Sequence, residues 1–217
     1  MSQIFTVFAT NLIIMTESIE KKILLKINGE QDGTLFFSEG FVSLGSGKAI
    51  SKALERLTEK GAIRRVARGI YAKPRFHALL GELHSSTDEI AQAIAKRDKA
   101  RIMPTGIYAL NALGLSTQVP MNVVYLTDGV ARKIKMDRGG RGILFKRVAP
   151  KNLASKDEIS GLVIQALKII EKDKVTEEEK AKIIELLRKE NVEKLEHDIQ
   201  LAPEWIRLIM KQALKKN

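Results

Sequence analysis

The period of the apolar positions changes several times along residues 17–75. Ile19, Ile23, Leu24 and Ile27 recur at i, i+4, i+5 and i+8, one face of a helix over 17–28. "NGEQDG" (28–33) reads as a turn, "TLFF" (34–37) as a short apolar strand, and Ser38 as the cap of a brief helix through Val42. "SLGSG" (43–47) breaks the chain again. Residues 47–60 hold the clearest pattern. Ala49, Ile50, Ala53, Leu54 and Leu57 form an apolar stripe, and Lys48, Lys52 and Arg56 line up at i, i+4, i+8 on another face. Gly61 follows as a left-handed terminator. Two β-prone runs, Ile63–Val66 and Ile70–Ala72, flank Arg68-Gly69 and stop before Pro74, which predicts a hairpin.

Beyond residue 80 the pattern changes. In "SSTDEIAQAIAKRDKA" (85–100) Ser86 and Glu89 have capping-box spacing ahead of a small-residue helix. Pro104 suits the first turn of a helix through Leu113, ended by Gly114. "NVVYLT" (122–127) is a strand, Asp128-Gly129 a turn, and Lys133–Lys135 and Ile143–Phe145 are further strands around "DRGGRG". From 151 the chain is helical, with capping boxes at Ser155/Glu158 and Thr176/Glu179 and Pro203 opening the last helix. The expected fold class is α+β. Four segments follow: an extension or arm over 1–15, a domain over 16–79, a small α/β domain over 80–150, and a helical tail over 151–217.

Charge sharpens this picture. The net charge is +11 and the pI about 9.8, which suits a polyanionic partner. The excess is uneven: +5 over residues 1–80, +5 over 81–150 and only +1 over 151–217. Between Ser46 and Arg75 nine basic residues stand against two acids. Helix, short strand, short helix, basic helix, basic hairpin is the order of a winged helix-turn-helix, whose second helix enters the major groove of duplex DNA. Ser46, Gly47, Lys48, Ser51 and Lys52 are then expected at base edges and phosphates, where a helix N-terminus also attracts phosphate. Arg56 is expected on the DNA backbone, and Arg64, Arg65, Arg68 and Lys73 on phosphates or an adjacent minor groove. A second cluster, "ARKIKMDRGGRGILFKR" (131–147), holds seven cations and one acid. It fits a solvated hairpin, a nucleic acid or an acidic protein face.

Other chemistry finds little support. The chain has no Cys, which excludes disulfides and thiolate metal sites and favours a cytoplasmic setting. His77, His84 and His197 lack metal-ligand spacing, and no Walker, G-x-S-x-G or G-x-G-x-x-G motif occurs. The expectation is no catalytic residue, no metal and no cofactor. The enzymatic alternative is a DNA-targeted nuclease built on Asp128 and Asp137 with Lys133 or Lys135. "MSQIFTVFATNLIIM" carries no Lys or Arg and is too short to span a bilayer. Met15 precedes a natural helix start, "TESIEKKILLKI", so residues 1–14 are expected to be an upstream extension.

"RRVARGIYAKP" (64–74) and "RIMPTGIYALNALGLSTQVPMNVVYLTDG" (101–129), with its pattern G-x-x-AL-x-x-LGLSTQ, resemble the AbiEi family. These are antitoxins of type IV toxin–antitoxin systems, known from phage abortive-infection loci. The resemblance covers about residues 16–150. It implies a winged-helix domain that represses its own operon, as monomer or homodimer on inverted repeats. It also implies a following domain that counters a nucleotidyltransferase-type toxin without a lasting complex. Arg132, Lys133, Lys135, Arg138 and Arg141 are the cations expected to serve that second role. The alternative is a plain winged-helix transcription regulator without a toxin.

Overall fold

Capping and burial set the elements of the first unit. In the structure, a computed structural model, residues 17–137 and 142–215 are described. The expected arm at 1–15, and Arg138 and Arg141, lie outside the described residues. The chain divides into two compact units between Ser86 and Thr87. Helix α1 (Ile19–Asn28) begins at Ser18, whose hydroxyl accepts from the Lys21 amide at 3.2 Å. Strand β1 (Leu35–Phe37) leads into a 3-10 helix (Ser38–Leu44) that runs past Val42, with Phe37 rather than Ser38 at its cap position. Helix α2 (Gly47–Glu59) follows. Its Ile50, Ala53, Leu54 and Leu57 are at most 4% exposed and share a core with Ile23, Ile27, Phe41, Ile63 and Tyr71.

Gly61 ends α2 as the sequence predicts. Its φ is +71°, its amide donates to the Thr58 carbonyl, and the Ala62 amide donates to the Leu57 carbonyl, both at 3.0 Å. Two carbonyls that the helix end would leave unpaired are thereby satisfied. The chain turns at once into β2 (Arg64–Ala67), passes Arg68 and Gly69, and returns as β3 (Ile70–Ala72). A φ of +73° at Gly69 permits that two-residue turn. The sheet order is β1-β3-β2, all antiparallel, with Ala72 opposite both Leu35 and Arg64. The Ser38 amide donates to the Gly69 carbonyl at 3.0 Å and ties the hairpin tip to the 3-10 helix. A second hairpin, β4 (Arg75–His77) with β5 (Gly81–Leu83), straddles the boundary expected at 79/80.

The second unit opens with α3 (Thr87–Asp98) and continues through β6 (Ile102–Thr105), α4 (Ile107–Ala112), β7 (Asn122–Thr127), β8 (Arg132–Lys135) and β9 (Gly142–Arg147). The sheet order is β6-β7-β9-β8, with β7 and β9 parallel and the other pairs antiparallel. Pro104 corrects the sequence reading. It lies in β6 opposite Tyr125, and α4 begins only after Gly106. β6 is an edge strand, and there a residue without an N–H is tolerated. On one sheet face the fully buried Tyr125 donates its hydroxyl to Asp88 Oδ1 of α3 at 2.9 Å. Burial, then the Asp88 carboxylate, hold that phenol well above its usual range.

The expected helical tail is part of this unit's core. α5 (Glu158–Ile170), α6 (Glu177–Leu187), α7 (Val192–Ile199) and α8 (Glu204–Met210) bury Leu167, Ile183, Leu195 and Ile206 together with Ala109 and Leu113 near α4, and Met103 of β6 packs against the same cluster. Among the described residues no helix is long and apolar enough to cross a membrane. The Thr176/Glu179 capping box forms, with the Glu179 amide donating to Thr176 at 3.2 Å and the Thr176 amide to Glu179 at 2.9 Å. The Ser155/Glu158 box does not. α5 begins at Glu158 after Asp157, and the amides of Lys156 and Asp157 donate to the fully buried Asp198 carboxylate at 2.8–2.9 Å. The Ser160 amide donates to Glu190 at 2.8 Å. Carboxylates are stronger acceptors than a hydroxyl, so distant acids displace the local serine.

Burial lifts the Glu190 carboxyl to about 7 against the Ser160 amide and hydroxyl, which favour the anion. Unfolded, the same group releases its proton near 4.5. The stability that this group contributes is therefore full below about pH 4.5 and is lost as pH rises through about 7. In Glu190→Gln that slope disappears. Thermal melts at pH 5 and pH 8 should show the variant gaining on the parent by on the order of 1 kcal/mol, allowing for the partial exposure of the group.

Candidate nucleic-acid interface

Burial of the α2 stripe fixes which side chains face water. Lys48, Ser51, Lys52, Glu55 and Arg56 are exposed, and Lys48 and Lys52 make no ion pair among the described residues. Ser46 caps the helix, its hydroxyl accepting from the Ala49 amide at 3.4 Å, and Gly47 is the exposed first residue. A groove of about 390 Å³ runs between this helix and the β2–β3 hairpin. Gly47, Ser51 and Leu54 line one wall, Arg65, Arg68 and Gly69 the other, with Ser38 and Val42 of the 3-10 helix beside them. Arg65 and Arg68 are both exposed, and Tyr71 is buried against the groove. Six expected residues (Ser46, Gly47, Lys48, Ser51, Arg65, Arg68) thus gather at the amino end of α2 and the facing hairpin, and Lys52 extends the helix face.

The other three cations serve the fold. Arg64 forms a two-pronged pair with Glu82 of β5, Nε to Oε1 at 2.6 Å and Nη2 to Oε2 at 3.0 Å, and the Glu82 hydrogen bond raises its already high pKa. Strand alternation separates it from Arg65, because successive side chains point to opposite faces. Lys73 donates to the carbonyls of Asn28 and Glu30 at 3.3 and 2.7 Å and pairs with Asp32 at 3.0 Å, clamping the turn after α1. Arg56 lies 3.9 Å from Glu20 of α1, which also pairs with Lys60. These three were expected on DNA. Arg64 and Lys73 spend their charge inside the first unit, and Arg56 spends part of it there.

The second cluster splits in the same way. Arg132 pairs with Asp98 and lies over the Phe145 ring at 5.9 Å. Lys133 and Lys135 alternate with it along edge strand β8, and both are exposed. Asp128, the carboxylate of the nuclease alternative, accepts from the Arg101 amide at 2.8 Å and from Arg101 Nε at 2.8 Å. The Arg101 side chain holds it below the usual carboxylate range. Among the described residues no group of three or more His, Asp or Glu is placed to hold a metal ion.

The matching family model spans residues 22–195 and so takes in both units, from α1 into α7. The chain belongs to DUF6088, a family of unknown function. No curated protein matches it.

Two features around this candidate site of the DUF6088 chain escape sequence reasoning. Glu82 is one, because nothing local marks it as the partner of an arginine 18 positions earlier. The groove-lining Val42 is the other: it is an exposed apolar residue, 68% accessible, on an irregular helix with no clean period.

The contrast between the paired Arg64 and the exposed Arg68 is measurable. Arg64→Ala should lower stability by about 1 kcal/mol through loss of the two-pronged pair. Arg68→Ala should change it by less than about 0.5 kcal/mol, the usual range for an exposed surface substitution. Urea titrations of the two variants check both values.

Proposed function

We propose that this DUF6088 chain binds operator DNA through a winged helix-turn-helix formed by its first unit, α2 being the groove-reading helix and the β2–β3 hairpin the wing. The observation that carries this reading is the groove shared by α2 and the hairpin, with Ser51 on one wall and Arg65 and Arg68 on the other. The succession α1, β1, 3-10 helix, α2, β2, β3, with sheet order β1-β3-β2, is the one that reading calls for. Among the described residues Lys48 and Lys52 have no ion-pair partner, and cations free of internal pairs are those available to displace counterions from phosphate.

The biological role proposed is that of an antitoxin and autorepressor of a type IV toxin–antitoxin system. It rests on the likeness of residues 64–74 and 101–129 to AbiEi proteins. In this role the second unit counters a nucleotidyltransferase-type toxin, with Lys133 and Lys135 of β8 as its exposed cations.

Binding to the DNA upstream of the chain's own gene tests the first part. Arg65→Ala with Arg68→Ala should weaken binding to all duplexes alike and flatten the salt dependence by about two units, one per phosphate contact. Undiminished binding in a gel-shift titration removes the hairpin from the interface. For the second part, the protein encoded by the adjacent reading frame is co-expressed. Lys133→Glu with Lys135→Glu should abolish growth rescue while operator binding persists. Rescue that survives this charge reversal dismisses β8 as the protective surface.

A further inference from the structure

Glu55 stands where an acid is least expected on a DNA-facing helix. With Ile50, Ala53, Leu54 and Leu57 turned into the core, helical geometry puts Lys48, Lys52, Glu55 and Glu59 along the outermost line of α2. Ser51 falls to the groove side of that line and Arg56 to the side of α1, where it meets Glu20. Glu55 is exposed and makes no hydrogen bond or ion pair among the described residues, although Lys52 stands at i−3.

We propose that Glu55 is a specificity-determining residue, which selects a cytosine in the DNA by accepting a hydrogen bond from its exocyclic amine. The proposal rests on the reading of α2 as the groove-entering helix. A carboxylate carried into the major groove is repelled by phosphates and has only acceptor capacity. The acceptor edges of guanine and thymine repel it. Adenine offers an amine but sets the N7 acceptor beside it, whereas cytosine offers its amine alone. An unpaired carboxylate there weakens binding to every sequence except one that supplies that donor. Lys48 and Lys52 then hold phosphates or guanines, and Glu55 sets the cost of a wrong base at one position. Glu59 lies in the last turn, at the opposite end of α2 from Ser46, and contributes repulsion without readout.

The experiment is selection of the full-length chain on a pool of random-sequence duplexes, with sequencing of the enriched pool, for the parent, Glu55→Ala, Glu55→Gln and Glu59→Gln. Both positions are exposed, so folding is expected to be unaffected, and circular dichroism checks it. The parent should enrich a motif with one near-invariant cytosine. Glu55→Ala should lose roughly tenfold preference at that position alone, and its affinity for unrelated duplexes should hold or rise. Glu55→Gln should move the preference there to adenine, which a carboxamide pairs on two atoms. Glu59→Gln should keep the motif. Three results overturn the assignment: an identical motif from Glu55→Ala, with or without a general gain in affinity; a parent that binds duplex without enriching any motif; or a motif that shifts with Glu59→Gln. A parent that binds no duplex removes the reading of α2 together with the assignment.

Discussion

Burial of one stripe on α2 governs most of what the first unit presents to water. Once Ile50, Ala53, Leu54 and Leu57 are packed against Ile23, Ile27 and Phe41, the helix cannot rotate without exposing several large side chains at about 1.5–3 kcal/mol each. That cost fixes the directions of Lys48, Ser51, Lys52 and Glu55. The helix end is fixed as well, because Gly61 closes α2 and turns the chain into β2 within three residues. The hairpin therefore follows from the helix. Its tip is held by Ser38, so Arg65 and Arg68 are set across a groove of fixed wall rather than on a free loop.

The same unit divides its cations by strand and helix geometry. Arg64 and Arg65 are neighbours in sequence, yet one is locked to Glu82 and the other lines the groove. Lys73 secures the turn after α1, and Arg56 leans on Glu20. Counting charges between Ser46 and Arg75 overstates the cationic surface, because part of that charge holds the unit together. The exposed set is smaller and better ordered: two lysines on one helical line and two arginines on the facing hairpin.

What was legible in the sequence is what local chemistry encodes. The α2 stripe, the Gly61 terminator, the Arg68-Gly69 turn, strand β7 and the Thr176/Glu179 box all depend on residues within a few positions of one another. What was not legible depends on partners far along the chain. Ser155 has capping-box spacing, but Asp198 and Glu190 reach the amides first with stronger acceptors. Pro104 suits a helix start equally well, and only its place at a sheet edge decides for a strand. Strands β4 and β5 have three residues each, too few for a period of two to declare itself. At the candidate site the helix-borne residues were placed by period alone. The internal partners of Arg64 and Lys73, Glu82 and the turn at 28–32, could not be read locally because they become neighbours only after folding.

The capping of α5 bears on the order in which the chain matures. The amides of Lys156 and Asp157 are satisfied by a carboxylate 42 and 41 positions further on. A translating ribosome must release Asp198 before the two amides leading into α5 have their buried acceptor. Until then the β6-β7-β9-β8 sheet waits for a helix that is only half specified. The second unit can be finished only once the segment carrying α7 arrives to seal it.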